Sequence, residues 1–240
     1  MKDLLAGLAD LVFPPLCAGC NSVLDGRRQL PLCPSCLDLV RRINSPLCSA
    51  CGIPFATEAD EDHLCGECAI APPPFQLARS WARYETHVMT AIHQFKYQGK
   101  TFWGKILGQV MAEAAYPGFN PADYSLVLPV PLHRRRLRER GFNQSLLLAR
   151  VIASFHRLRL DVTSLRRIIH TPEQTKLGRE ERVQNVRRAF AVNDPRQIKG
   201  ERIILVDDVY TTGSTVRECS RILLGSQAER VAVLTAARAV

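Results

Sequence analysis

The sequence predicts a mostly parallel α/β sheet flanked by helices, standing behind a small cysteine-rich module. Three observations predict it. Ile203, Ile204, Leu205 and Val206 form an unbroken aliphatic run, three of its members β-branched, as in a strand buried on both faces of a parallel sheet. Apolar strand-like runs alternate with helical periods over residues 76–240. Eight of the nine cysteines fall in four Cys-x-x-Cys pairs, all before residue 69. A chain of 240 residues has room for one sizeable domain and a small one.

The run 203–206 leads into Asp207-Asp208-Val209-Tyr210-Thr211-Thr212-Gly213-Ser214-Thr215. Two carboxylates at the end of a strand, then a loop of hydroxyl residues and glycine, then a helix, form a place for a phosphorylated sugar. Backbone N–H groups at a helix start approach an anion closely, and the helix dipole favours negative charge there. Thr211, Thr212, Ser214 and Thr215 add hydroxyl donors. Carboxylates repel phosphate, so Asp207 and Asp208 are expected to accept from vicinal hydroxyls of a ribose. In the following helix Val216, Cys219 and Leu223 share one face, with Arg217, Glu218 and Arg221 turned elsewhere, which makes Cys219 a core residue. The string lacks the Gly-x-x-x-x-Gly-Lys of a Walker loop. It resembles the PRPP (5-phosphoribosyl-1-pyrophosphate) motif of type I phosphoribosyltransferases. That resemblance implies ribose at the acidic pair, with the 5′-phosphate at residues 211–215.

The cysteine pairs are Cys17/Cys20, Cys33/Cys36, Cys48/Cys51 and Cys65/Cys68. Two intervening residues let both thiolates reach one tetrahedral Zn²⁺. Four pairs make two closed Cys₄ sites, which are structural. Sequential pairing gives two zinc ribbons in tandem, and interleaved pairing of Cys17/Cys20 with Cys48/Cys51 is the alternative. Redox chemistry does not need four copies of the pair. His63, two residues before Cys65, is read as a solvated loop residue. Residues 1–75 hold 5 Lys+Arg against 9 Asp+Glu, a poor surface for phosphates, so a scaffolding or protein-docking role suits this module better. Pro72-Pro73-Pro74 marks its end, dividing the chain into 1–75 and 76–240.

The net charge of +9 is concentrated elsewhere: residues 131–190 hold 15 Lys+Arg against 5 Asp+Glu. Such a patch suits a pyrophosphate, a nucleic acid or both. The apolar stretch Leu4–Phe13 is short and interrupted by Asp10, which argues against an export signal. Cys-x-x-Cys metal pairs point to a reducing, cytoplasmic setting. No run approaches the roughly 18 apolar residues of a membrane span.

Along residues 76–240 the reading is a strand from Leu77 to Tyr84 and a helix from Thr86 to Phe95. A glycine turn follows, carrying Lys96 and Lys100, and then a helix from about Phe102 to Tyr116. Lys96 is a candidate anion ligand. Leu126–Pro131 is a proline-stopped strand, followed by a basic loop in which Arg134, Arg135 and Arg136 are candidate pyrophosphate ligands. Such a loop lies at the strand's C-terminal end, where open α/β sheets bind ligands. A helix over 143–157 has Leu146, Val151 and Phe155 among its apolar positions. Residues 171–190 read as a mobile loop and short polar helix, a flap near 174–182, and a strand near Ala189–Val192. Arg230–Ala237 is the last strand.

Taken together the blocks resemble the ComF family, competence-type proteins that include GntX-like members. The likeness rests on the double Cys₄ module after Leu11-Val12-Phe13-Pro14-Pro15, and on Phe95-Lys96-Tyr97-x-Gly99-Lys100. It continues through Val130-Pro131-Leu132 with Arg140-Gly141-Phe142-Asn143-Gln144, and through Gln174-Thr175-x-Leu177 with Arg182-x-x-Asn185-Val186. Val206-Asp207-Asp208-Val209-Tyr210-Thr211-Thr212-Gly213 completes it. The resemblance implies a double zinc ribbon joined to a type I phosphoribosyltransferase-like domain, two structural Zn²⁺, and Mg²⁺ brought in with PRPP. It implies single-stranded DNA handling during natural transformation. A competence helicase or other DNA-processing protein would meet the zinc module.

Two functions follow as expectations. In the first the chain is a phosphoribosyltransferase of unnamed acceptor, with Asp208 as its catalytic residue and the flap excluding water. In the second it is a non-catalytic PRPP sensor or adaptor whose basic 131–190 surface binds single-stranded DNA. Phe142, Phe155 and His156 would be available to stack bases there, although Phe155 is better read as core.

Overall fold

The computed structural model describes residues 14–24, 32–56, 61–169 and 188–240. Strands β1 (Leu77–Arg83), β2 (Leu126–Pro129), β3 (Arg159–Leu160), β6 (Arg202–Tyr210) and β7 (Arg230–Arg238) form one sheet in the order β1-β7-β6-β2-β3. Every pairing in it is parallel. Strands β4 (Leu165–Arg167) and β5 (Phe190–Val192) form a separate antiparallel pair.

Side chains alternate across a strand, so a strand buried on both faces feeds two cores. Ile204 and Val206 enter one core with Val127 and Leu234. Ile203 and Leu205 enter the other with Leu126 and Val233. On the first face lie α3 (Thr86–Tyr97), α4 (Phe102–Glu113) and α6 (Gln144–His156), contributing Ile92, Phe95, Leu107, Met111, Leu148 and Ile152. On the second lies α7 (Ser214–Gly225), which buries Val216, Cys219 and Leu223 as its periodicity predicts.

The cysteine-rich segment adds two short helices, α1 (Pro34–Asp38) and α2 (Gly66–Ile70). It packs on both sides of the sheet: Cys17 and Cys36 join the first core, and Cys48, Cys51 and Cys68 join the second. It also lies along the outer edge of β1. The Arg83 N–H donates to the Arg41 carbonyl at 2.8 Å, the Ile43 N–H to Trp81 at 3.2 Å, and the Ala78 N–H to Ala50 at 2.7 Å. Groups that an edge strand would otherwise present to solvent are thereby paired.

Several expectations need correction. Residues 134–140, read as a basic loop, form helix α5 (Arg134–Arg140), whose first turn is capped by His133 accepting from the Arg135 N–H. Lys96 sits in the last turn of α3, not in a turn beyond it. The strand carrying the acidic pair does not stop at Val206 but runs to Tyr210. Helix α4 ends at Glu113, short of Tyr116. Phe155 is 48% exposed, so it is not core: Leu148, Ala149, Ile152 and Ala153 form the buried stripe of α6. The flap near 174–182 lies outside the described residues, as does Leu11-Val12-Phe13.

Candidate functional site

The site is assembled at the C-terminal end of β6. Pairing with β7 holds this strand in register as far as Tyr210 opposite Arg238, which carries Asp207 and Asp208 on regular backbone. The Asp208 carboxylate is buried and lies 2.6 Å from Lys96 Nζ. Lys96 is placed there because its neighbour Phe95 is fully buried and stacks on Phe142 at 5.5 Å, locking the end of α3. Burial alone would push Lys96 down, but the Asp208 carboxylate outweighs it and holds the ammonium above its ordinary range.

Asp207 has a different partner. Asn143 caps α6 by accepting from the Ser145 N–H at 3.0 Å, and its own amide donates to the Val130 carbonyl at 3.1 Å. This ties the start of α6 to the end of β2 and brings Ser145 Oγ to donate to Asp207 Oδ1 at 2.9 Å. The Asp208 N–H donates to the same oxygen at 2.9 Å. Burial, followed by the charge of Asp208, raises Asp207 to about 7, with Lys96 and the two donors pulling the other way.

Beyond β6 the chain turns through Thr211 and Thr212 into α7. Gly213 is in the left-handed region at φ 74°, and a Cβ there would lie 2.2 Å from Tyr210 Oη. Only glycine meets both conditions. Thr212 Oγ1 donates to Ser214 Oγ at 3.1 Å, so the hydroxyls of the turn are already gathered at the helix start. The first N–H groups of an α-helix have no partner within the helix and favour an anion.

The structure thus brings together Lys96, Asp207, Asp208 and the 211–215 turn. The arginines of α5 are placed less closely. Arg134 and Arg135 are exposed, and Arg135 pairs with Glu139 at 3.0 Å. Arg136 is half-buried and 3.6 Å from Glu139. Two site residues escape a reading of the sequence. Ser145 is one, hidden as an ordinary helix-start residue. Arg167 of β4 is the other: its guanidinium lies over the Phe190 ring at 5.4 Å, burial pushes it down, and the Asp207 carboxylate pulls the other way. Phe155 and His156 pack edge to face at 5.0 Å at the opposite end of α6 from Ser145. At about 1.5 Å per residue that is some 15 Å or more from the acidic pair.

The cysteines form two clusters, Cys17/Cys20/Cys33/Cys36 and Cys48/Cys51/Cys65/Cys68, with sulfurs within 4.8 Å of one another in each. Pairing is therefore sequential. The Cys20–Cys33 and Cys51–Cys65 sulfur separations are 3.7 and 3.9 Å. Tetrahedral Zn–S bonds of about 2.3 Å imply edges of about 3.8 Å. Backbone N–H groups of Gly19 and Cys33 donate to Cys17 Sγ, and those of Cys51 and Cys65 donate to Cys48 Sγ. Burial and the neighbouring sulfurs push Cys36 and Cys68 up, as expected where four thiolates cannot ionise together without a cation. The residues fit structural zinc at both positions. His63 is in neither cluster: it is exposed and stacks on Phe55 at 4.1 Å.

A double zinc ribbon family model matches residues 8–69, and a phosphoribosyl transferase domain model matches residues 145–239. The chain is 32% identical over 227 residues to the DNA utilization protein YhgH of Escherichia coli, covering 93% of this chain and 96% of that one. It is 29% identical to competence protein F of Haemophilus influenzae (87% and 90% covered) and 27% identical to competence protein ComFC of Bacillus subtilis (80% and 78% covered). The chain belongs to the ComF family. The ComF architecture of a double Cys₄ module followed by a type I phosphoribosyltransferase-like parallel sheet is the one described above. The acidic pair falls within the residues that the phosphoribosyl transferase domain model matches. Among the described residues no helix is long and apolar enough to cross a membrane.

Proposed function

We propose that this ComF-family chain binds PRPP at the end of β6 as a phosphoribosyltransferase-like protein, in support of single-stranded DNA handling in natural competence. The observation that carries the ligand is the sequence of groups along one strand and its turn: Asp207 and Asp208, then Gly213 at the left-handed position, then the N-terminus of α7. The process is suggested by relatives named for competence and DNA utilization.

In this reading Asp207 and Asp208 accept from the ribose hydroxyls, and Thr211 to Thr215 with the α7 N-terminus receive the 5′-phosphate. Lys96 already lies against Asp208, so sugar binding shares that carboxylate and leaves the ammonium beside an incoming anion. Arg134, Arg135 and Arg136 supply positive charge for pyrophosphate, and Arg167, within electrostatic reach of both Asp207 and Arg136, adds to it. Mg²⁺ enters with PRPP, held mainly by the ligand's own oxygens. Asp208 stabilises positive charge developing on the sugar as pyrophosphate departs.

Isothermal titration of zinc-loaded protein with Mg·PRPP tests the binding claim, and absence of heat at millimolar ligand rejects it. Asp207→Asn with Asp208→Asn should abolish that heat while the chain stays folded, its stability lower only by the about 2 to 3 kcal/mol that leaving Lys96 unpaired costs. A collapse in melting temperature instead would make the pair structural.

One observation favours a second reading, a PRPP sensor that binds DNA without transferring anything. Exposed Phe155, with His156, Arg157 and Arg159 nearby in sequence, lies far from the acidic pair, so a strand stacked there need not reach the sugar. Pyrophosphate release in the presence of candidate bases separates the two readings.

A further inference from the structure

One chain of buried contacts connects the second Cys₄ cluster to the turn at Gly213. Arg238, the last residue of β7, pairs in register with Tyr210, the last residue of β6. Its guanidinium carbon lies 4.1 Å from the centre of the Tyr210 ring. Nη1 donates to the Cys51 carbonyl at 2.7 Å, and Nη2 lies 3.6 Å from Cys51 Sγ. At the other end, the Tyr210 hydroxyl is the floor under Gly213, so close that no Cβ fits between them. Cys51, Arg238 and Tyr210 are 5%, 5% and 3% exposed.

The cysteine end of this chain is fixed to the sheet independently. The Ala78 N–H donates to the Ala50 carbonyl, and Arg79 Nη2 donates to the Ser49 carbonyl at 3.1 Å. Gly52, at φ 72°, lies against the Ala78 carbonyl, where a Cβ would come within 2.4 Å. The knuckle 48–52 is therefore seated on β1, while one of its metal-ligand residues reaches across β7 through Arg238.

We propose that Arg238 is a positioning residue that carries the placement of the second Cys₄ cluster to the Gly213 turn, so that zinc there sets the affinity for PRPP. The inference rests on the PRPP reading above. A partner outside the ligand set that orients a metal ligand is a common feature of metal sites. Here the same guanidinium packs on the ring that shapes the phosphate turn. The first cluster packs in the opposite core, and among the described residues none of its hydrogen bonds reaches Arg238 or Tyr210.

Coupling between two sites is reciprocal, so bound PRPP must in turn hold zinc at the second cluster more firmly. The experiment treats zinc-loaded full-length protein with a chelator and N-ethylmaleimide, with and without saturating Mg·PRPP. Mass spectrometry then follows alkylation of each cysteine. The expected result is about a tenfold slowing at Cys48, Cys51, Cys65 and Cys68 with little change at Cys17, Cys20, Cys33 and Cys36, the fold-change of a modest coupling. Arg238→Met should abolish this selectivity and weaken PRPP binding about tenfold while two zinc ions per chain remain. Equal slowing of both clusters, or of neither, while calorimetry shows PRPP bound, overturns the inference and leaves the PRPP reading standing. No PRPP heat from the wild-type chain removes both. The comparison within wild-type protein decides the matter even where Arg238→Met does not fold.

Discussion

Lys96 and Asp208, from a helix end and a strand end far apart in sequence, form a buried ion pair at 2.6 Å. Removing one member strands the other charge. Lys96→Met should lower unfolding free energy by about 2 to 3 kcal/mol, below the usual 3 to 5 for a fully buried pair because part of the Lys96 side chain meets solvent. Adding Asp208→Asn to that variant should restore part of the loss. Urea denaturation of the four chains gives the coupling energy, and simple additivity would show that the pair contributes no specific interaction.

Asp207 makes the chain sensitive to pH in a stated direction. Burial and the Asp208 charge raise it from about 4 to about 7 on folding. Between those values the folded chain holds a proton that the unfolded chain has lost, so this group's contribution to stability falls as pH rises through the window. Ligand binding should run the opposite way. A carboxylate accepts from both sugar hydroxyls, so PRPP affinity should increase as pH rises through about 7. Titrations from pH 6 to 8 on wild type and Asp207→Asn provide the check, because PRPP itself ionises in this range. The variant should retain only the ligand's own pH dependence, and identical profiles would exclude Asp207.

Gly213→Ala places a methyl group on a left-handed backbone and against Tyr210 Oη. The backbone term costs about 1 to 2 kcal/mol and the clash adds to it. We expect an unfolding free energy lower by about 2 to 4 kcal/mol and PRPP binding weaker by more than tenfold. Thermal melts and calorimetry on the same sample measure the two effects, and a wild-type value for both would mean that the turn readily rearranges.

Zinc removal should reach the sheet. Cys17 and Cys36 belong to one core and Cys48, Cys51 and Cys68 to the other, so neither core keeps its packing when the cysteines lose their metal. A strong chelator should lower the melting temperature by about 10 °C or more, reversibly on adding zinc. An unchanged melt after confirmed loss of both ions would show that the clusters are ornamental.

Much of this was legible in the residues. The aliphatic run 203–206 reads as an inner strand, and the two-residue spacing of the cysteines puts each pair on one cation, while the fold decides which two pairs share it. What stayed hidden depends on tertiary partners. The strand outlasts its apolar run because β7 continues to pair with it as far as Arg238. The segment 134–140 has charges that suggest a loop, but arginine favours helix, and Glu139 sits within reach of Arg135 and Arg136 on successive turns. Phe155 shares the face of Leu148, seven residues earlier, so its angular position suggests core, but it stands in the last turn of α6 and is half exposed there. Ser145 carries no local mark of its role, and Lys96, legible as an anion ligand, gains its Asp208 partner only from the fold.

The hydrogen bonds joining Trp81 and Arg83 with Ile43 and Arg41 have an evolutionary consequence. A transferase-like half excised at the prolines and transplanted alone would carry a raw selvedge, free to zip onto a neighbouring copy. Gene fusions that trade the front of such a chain for another module must therefore bring their own hem for that border, or accept a protein that sticks to itself.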